Sequence, residues 1–168
     1  VRFYVEGQQA KLLSPEGTRG WVFESPLDSS EAIKFIPGGA DTVDAEFNTL
    51  TSLGNVDISP KAIGVRKINR GRDAVLRMEK VDGQSIWDKG EFTVTDQRMV
   101  NDLVDRLVSN RWQVDDFTMK NIMVGTTKSN ITPRALQVDA GSVKRFSGSE
   151  QELRTYYSKS LTTAATAL

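Results

Sequence analysis

The first half of the chain alternates apolar and polar residues in short runs, and the second half shifts to a helical period before alternating again. Ala10 to Leu13 is a short apolar run. The turn-rich Ser14-Pro15-Glu16-Gly17-Thr18-Arg19-Gly20 and then Trp21-Val22-Phe23-Glu24 follow it, predicting strand, glycine turn, strand. Glu31 to Ile36 predicts a third strand, with Ala32, Lys34 and Ile36 on one face and Ile33 and Phe35 on the other. Pro37-Gly38-Gly39 ends it. Thr42 to Leu53 predicts a helix closed by Gly54, its apolar stripe being Val43, Phe47, Leu50 and Leu53. Ser59 to Val65 and Ala74 to Glu79 predict two further strands across the basic turn Arg66 to Arg72, and Val81 to Ser85 breaks the pattern. From Asp96 to Asn110 the stripe Met99, Val100, Leu103, Val104, Leu107, Val108 predicts an amphipathic helix capped by Thr93 or Thr95. Ile122 and Val124 then alternate on one arm of a predicted half-buried hairpin, Leu136 and Val138 on the other, with the polar tip Thr126 to Pro133 between them. Glu150 to Tyr157 predicts a last helix and Thr162 to Leu168 a frayed tail, while residues 1–9 suggest no role. The fold class read from this order is α+β. An antiparallel five-stranded unit with one helix occupies residues 1–79 and a helical unit with a hairpin occupies 80–168, one domain or two small lobes sharing one cleft.

Two places in this pattern carry chemistry. At 100° per residue Glu46 falls on the apolar stripe of its helix, between Leu53 and Leu50, where a carboxylate needs a partner. Lys34, flanked on its strand face by Ala32 and Ile36, is the nearest cation in sequence, so a Lys34–Glu46 ion pair across the strand–helix interface is expected. The competing readings are a solvated edge lysine and a glutamate at the rim of the stripe. The second place is the hairpin's open end. Closing the hairpin brings Asn121 to Asp139, with Asp116 beside them, a corner able to hold a divalent cation and a phosphate. Gly17 and Gly20 permit either an ordinary hairpin turn or a loop whose backbone N–H groups close over phosphates.

Composition narrows the chemistry. The 168 residues include no Cys and no His, which removes thiol chemistry, the Ser-His-Asp triad and most zinc sites. Acid–base work must fall to Asp, Glu, Lys or Tyr. Lys plus Arg balances Asp plus Glu at 22 each, so nothing points to a nucleic-acid partner. No apolar run approaches the ~18 residues of a membrane span. The chain starts at Val1 without Met, which reads as a trimmed N-terminus, so the lack of a visible signal peptide carries no weight.

Taken in order, the pieces resemble the protein-kinase signature set. Pro15-x-Gly17-x-x-Gly20-x-Val22 resembles the glycine loop, with Pro in place of its first glycine, and Ala32-Ile33-Lys34 resembles the lysine strand. Glu46 matches the helix glutamate, and Met78-Glu79-Lys80-Val81-Asp82-Gly83 is similar to the hinge. Asp116-Phe117-Thr118-Met119-Lys120-Asn121 matches the catalytic-loop spacing, and Asp139-Ala140-Gly141 the Asp-Phe-Gly element. The Asp-x₄-Asn spacing alone is worthless, because it recurs at Asp96/Asn101 and Asp105/Asn110 in the amphipathic helix, where polar residues face solvent. The order of the pieces is what is specific, and it covers roughly residues 10–146.

The resemblance implies a bilobal kinase-like fold with a strongly reduced helical lobe, and ATP and Mg²⁺ as cofactors. Under it Lys34 holds the α- and β-phosphates and is held by Glu46, Asn121 and Asp139 coordinate Mg²⁺, and Asp116 faces the acceptor hydroxyl. Val22 and Ala32 roof the adenine, Met78 adjoins it, Met123 lies beneath it, and backbone at Glu79 to Val81 meets its edge. Several positions depart from the family. Val114-Asp115 replaces the usual His-Arg before the catalytic Asp, Ala140 replaces the Phe, and Lys34 and Glu46 stand only 12 residues apart. Lys120 suits neither usual catalytic loop and is a candidate γ-phosphate contact. Only 29 residues follow Asp139, too few for the usual lower lobe.

A truncated kinase with these residues intact resembles the type III secreted effector kinases of bacteria that phosphorylate the eukaryotic heat shock protein 90 chaperone on serine. That resemblance implies a monomer secreted by a bacterium into the host cytoplasm. Its partner would be a host protein, with no nucleic acid and no membrane. Two alternatives stand beside it, a small-molecule phosphotransferase of the same fold and an inactive pseudokinase acting as a binding module.

Overall fold

The computed structural model describes residues 2–14 and 20–166, so Gly17 and the centre of the expected glycine loop lie outside the described residues. The chain is α+β. Strands β1 (Tyr4–Val5) and β2 (Gln8–Gln9) form a small hairpin. Strands β3 (Lys11–Ser14), β4 (Trp21–Glu24), β5 (Glu31–Ile36), β6 (Ala62–Ile68) and β7 (Asp73–Glu79) form an antiparallel sheet in the order β3-β4-β5-β7-β6. Helix α1 (Val43–Asn55) connects β5 to β6.

Period-two alternation decides which side of the sheet closes. Ala32, Lys34 and Ile36 pair across β5–β7 with Met78, Leu76 and Ala74, and this face lies under α1 through buried Val43, Leu50 and Leu53. The other face carries Phe23, Ile33, Phe35 and Val75. Phe3 covers it, stacking on Phe23 at 5.2 Å and meeting Phe35 at a tilt at 5.6 Å. Phe3, in a stretch to which the sequence assigns nothing, therefore caps the outer face of the sheet.

The boundaries of α1 and β6 differ from expectation for one reason. Gly54 does not stop the helix, which runs on to Asn55. A Cβ on Gly54 would lie 3.0 Å from Lys61 Cα, so the glycine serves close approach of the following segment. That segment, Ile58 to Pro60, is buried and joins the two halves: Gln137 N–H donates to Ile58 O at 2.8 Å. The strand begins only at Ala62, not at Ser59.

The second half comprises β8 (Asp82–Ser85), α2 (Ile86–Lys89), α3 (Val94–Ser109), β9 (Trp112–Val114), β10 (Ile122–Thr127), β11 (Asn130–Gln137), a 3₁₀ turn at Ala140–Ser142, β12 (Val143–Arg145) and α4 (Glu150–Thr166). Thr93 caps α3 in a reciprocal capping box with Asp96. Asp96 is thus buried, paired with Lys89 Nζ at 2.6 Å, and does not face solvent as its place on the helix suggests.

The expected break at Val81 to Ser85 is a strand instead, and β8 pairs with β10 in a three-stranded sheet β8-β10-β11. Gly83 and Gly125 sit opposite each other there. A Cβ on Gly83 would lie 2.0 Å from Val124 O, and one on Gly125 would lie 2.2 Å from Asp82 O. The glycine read as a breaker permits two backbones to touch.

The β10–β11 hairpin is in a different register from the one its alternation suggests. Ile122 faces Gln137, Met123 faces Leu136 and Val124 faces Ala135, while Val138 lies beyond the strand. Ile122, Ala135, Leu136 and Gln137 are all buried, so both faces of the hairpin are covered and period-two alternation has no purchase. Helix α4 also continues to Thr166, where a frayed tail is expected from Thr162, because Leu161, Ala164 and Ala165 rest on the core.

One apolar core runs through both halves, from Ala32 and Leu76 through Val100, Leu103 and Leu107 to Leu153 and Tyr157. Arg106 on α3 reinforces the junction by donating to Asp57 O at 3.0 Å and to Ala135 O at 2.8 Å. Burial lowers its guanidinium to about 10, aided by nearby Arg134.

Candidate functional site

The sheet supplies one wall. Lys34 Nζ meets Glu46 Oε1 at 2.8 Å, both side chains largely buried, so the strand–helix pair forms as the apolar stripe requires. Among the described residues Glu46 Oε2 is buried without a hydrogen-bond partner, and Lys34 is the partner of the carboxylate. Val22 and Ala32 lie on the same sheet face as Lys34, Val22 half-buried and Ala32 fully so. Gly20 has φ +149, and a Cβ there would lie 2.3 Å from Phe35 O, so the strand leaving the glycine turn needs glycine.

The hairpin end supplies the second wall of the candidate site, joined to the first where α1 rests on the 3₁₀ turn. Val138 N–H donates to Asn121 O at 3.0 Å, which ties Asn121 to the segment leading into Asp139. Asn121 Nδ2 donates to Asp116 Oδ2 at 3.2 Å, so Asp116 and Asn121 are side-chain neighbours. Asp139 caps the 3₁₀ turn, accepting from Gly141 N–H at 3.0 Å. Ala140 is buried in that turn, and α1 rests against it, so the helix carrying Glu46 touches the turn carrying Asp139 despite the missing aromatic ring.

These donors suit a hard cation. The carboxylate of Asp139 and the amide oxygen of Asn121, whose Nδ2 is turned to Asp116, are oxygen ligands of the kind Mg²⁺ prefers. Among the described residues no group of three or more Asp and Glu gathers to hold a metal ion by itself. Two oxygen donors fit Mg²⁺ where phosphates and water fill the remaining positions.

The hinge is more heavily engaged than its sequence suggests. Glu79 N–H donates to Lys61 O at 2.9 Å and Lys80 N–H to Ser30 O at 2.8 Å, so of the three hinge residues only Val81 keeps its N–H out of these bonds. The buried Glu79 carboxylate accepts from Ser129 N–H and Oγ, both at 2.8 Å, and from Lys61 N–H at 3.2 Å. It pins the hairpin tip to the sheet. Lys80 pairs with Glu24 at 2.7 Å. Met78 is buried beside Ala32 as its cross-strand partner, and Met123, half-buried on β10, pairs with Ser85 of β8 and Leu136 of β11. A 350 Å³ groove lined by Ser30, Glu31, Lys61, Ala62, Ile63, Glu79 and Lys128 opens at this joint and includes none of Lys34, Asp116, Asn121 or Asp139. Lys120, a candidate γ-phosphate contact, stands over the exposed Trp87 ring at 4.9 Å.

Two residues at the site are invisible to motif reading. Tyr156 and Tyr157 on α4 hydrogen-bond the backbone of β9, the strand that enters the Asp116 loop. Nothing in a Tyr-Tyr pair inside a helix of period 3.6 marks it as other than packing.

No protein-family model matches the chain, and a search of curated proteins finds none significantly similar to it.

Proposed function

We propose that the chain is an ATP-dependent protein kinase in a reduced two-lobed form, transferring the γ-phosphate to a Ser or Thr hydroxyl. The observation that carries this reading is the 2.8 Å Lys34–Glu46 pair on a helix that also rests on the turn beginning at Asp139. A largely desolvated lysine with one carboxylate partner suits the α- and β-phosphates. The Asn121 and Asp139 oxygens suit the metal.

Bound ATP with Mg²⁺ supplies the phosphoryl group and the neutralising charge that its transfer needs. Lys34 and Glu46 fix the phosphates, and Asp116 orients the acceptor hydroxyl and receives its proton. The hydroxyl oxygen bonds to the γ-phosphorus, the bond from that phosphorus to the β–γ bridging oxygen breaks, and ADP leaves. Neither His nor Cys is needed, in keeping with their absence from the sequence. A secreted bacterial effector acting in the host cytoplasm on the heat shock protein 90 chaperone is the setting that the resemblance of the motifs favours.

The test has two arms. Millimolar ATP with Mg²⁺ raises the melting temperature; a ligand at 100-fold its Kd contributes about 2.7 kcal/mol, roughly 5 to 10 °C for a chain of this size. Labelled phosphate then passes to proteins of a eukaryotic lysate, and Asp139→Ala abolishes it, with phosphosite mapping identifying the acceptor. No shift together with no transfer overturns the kinase reading, and transfer that survives Asp139→Ala overturns the metal role of Asp139.

A further inference from the structure

We infer that Tyr156 and Tyr157 are positioning residues that hold the Asp116 loop. The inference rests on the role proposed above for Asp116.

Strand β9 delivers the loop. Its Val114 is fully buried and stands two residues before Asp116. Successive residues of an antiparallel strand turn their backbone groups to opposite edges. On one edge β12 pairs with β9, and just beyond it Asp115 N–H donates to Ser142 O at 2.8 Å. Val114 points its groups to the other edge, where the sheet offers no strand among the described residues. There the Tyr157 hydroxyl accepts from Val114 N–H at 3.0 Å and donates to Trp112 O at 2.5 Å, while the Tyr156 hydroxyl donates to Val114 O at 2.6 Å. Two phenols thus do the work of an absent strand.

The same ring reaches past Asp116. Phe117, buried, packs edge-on against Tyr157 with ring centroids 4.9 Å apart. Tyr157 therefore grips the chain on both sides of Asp116, by its hydroxyl before and its ring after. Burial raises its phenol above the ordinary value, so the hydroxyl remains protonated and able to donate at any working pH. Tyr156 and Tyr157 also touch edge-on at 5.2 Å, which couples the two grips. An ordinary edge-strand cap would need only one of these contacts. Their convergence on the residues flanking Asp116 is what marks the pair.

The experiment uses Tyr157→Phe, which keeps the ring and removes the hydroxyl, and Tyr156→Phe, whose half-buried site leaves the fold intact. For Tyr157→Phe, kcat for phosphate transfer falls on the order of 10²-fold with KM for ATP unchanged, since Lys34 and Glu46 are untouched. For Tyr156→Phe it falls roughly tenfold. Amide exchange of the segment Val114 to Asn121 rises in both, while that of β5 and α1 does not change. Loop exchange identical to wild type overturns the inference, as does an unaltered kcat in both folded variants of an active enzyme. A role in stability alone would instead raise exchange throughout and leave kcat per folded molecule as it was. Wild-type protein that transfers no phosphate overturns the kinase reading, and loop exchange then still decides whether the tyrosines hold the loop.

Discussion

The two walls of the candidate site are held in opposite ways. On the sheet side the functional side chains hold each other: Lys34 and Glu46 meet at 2.8 Å, on elements that are neighbours in sequence. On the hairpin side Asn121 Nδ2 meets Asp116 Oδ2 at 3.2 Å, but the segments are aimed mainly through backbone, by Val138 N–H on Asn121 O, by Ser142 O on Asp115 N–H and by the tyrosines on Val114. A wall built from paired charges is expensive to disturb at one residue. A wall built from backbone contacts can be shifted from a helix that never enters the site.

The strongest way to break that comparison is to strike the hairpin wall at its own seam, where β8 meets β10. Gly83 and Gly125 bring β8 against β10 so closely that a Cβ on Gly83 would fall 2.0 Å from Val124 O. The obstructing atoms are backbone, so they cannot rotate aside. Gly83→Ala costs about 3 kcal/mol, a melting temperature lowered by roughly 6 to 12 °C. Gly64→Ala, where the nearest atom is the flexible Arg77 Nη1 at 3.9 Å, leaves it unchanged within a degree or two. One core spans both halves, so the loss in Gly83→Ala comes as a single transition. Two transitions in calorimetry would mean that the walls are separate units, and an unshifted melt that the seam is looser than described.

The next test addresses the sheet wall alone. Glu46→Gln leaves Lys34 without its charge partner in a largely buried setting. Transfer activity falls on the order of 10²-fold, the cost of misplaced phosphates. Asp44→Asn on the same helix removes only an exposed pair with Lys67 at 3.5 Å and changes activity less than twofold. Equal losses in steady-state kinetics would show that position on the apolar stripe does not choose the working carboxylate.

What the sequence disclosed follows the same division. The sheet and α1 were legible because alternation and the 3.6-residue period were intact, and Glu46 stood out as a charge on an apolar stripe. The ion pair needed only elements adjacent in the chain. The hairpin side was read by motif, with its register misjudged by one residue, because both of its faces are buried and alternation no longer reports on either. Strand β8 was hidden because Gly83 signals a break as readily as a close approach. Tyr157 could not be read at all: its partner Val114 lies 43 residues away, and a hydrogen bond to backbone leaves no trace in the partner's side chain. Asp96 was misread for a related reason, since its cation, Lys89, belongs to a four-residue helix that no periodicity reveals.

Asp96 gives the smallest test, a pH dependence in the beam beneath the hairpin wall. Burial tends to raise its carboxyl, but hydrogen bonds from Lys89 Nζ at 2.6 Å and Thr93 N–H at 3.0 Å together hold it below its ordinary value of 3.8. A carboxyl lowered by folding contributes stability that is fully present above the unfolded value and is lost as pH falls through the folded one. Asp96→Asn keeps size and an acceptor but not the charge, and costs about 1–2 kcal/mol at neutral pH. The gap in melting temperature between wild type and variant, roughly 2 to 8 °C, is therefore constant above about pH 5. It narrows as the pH is taken below about 4. A gap that persists unchanged to pH 2 would assign the effect to capping geometry and not to charge. In either case transfer per folded molecule stays at the wild-type value, because α3 carries Arg106 to Asp57 and Ala135 and supplies no group to the site. A fall in kcat there would mean that the hairpin wall is steered from α3 as well as from α4.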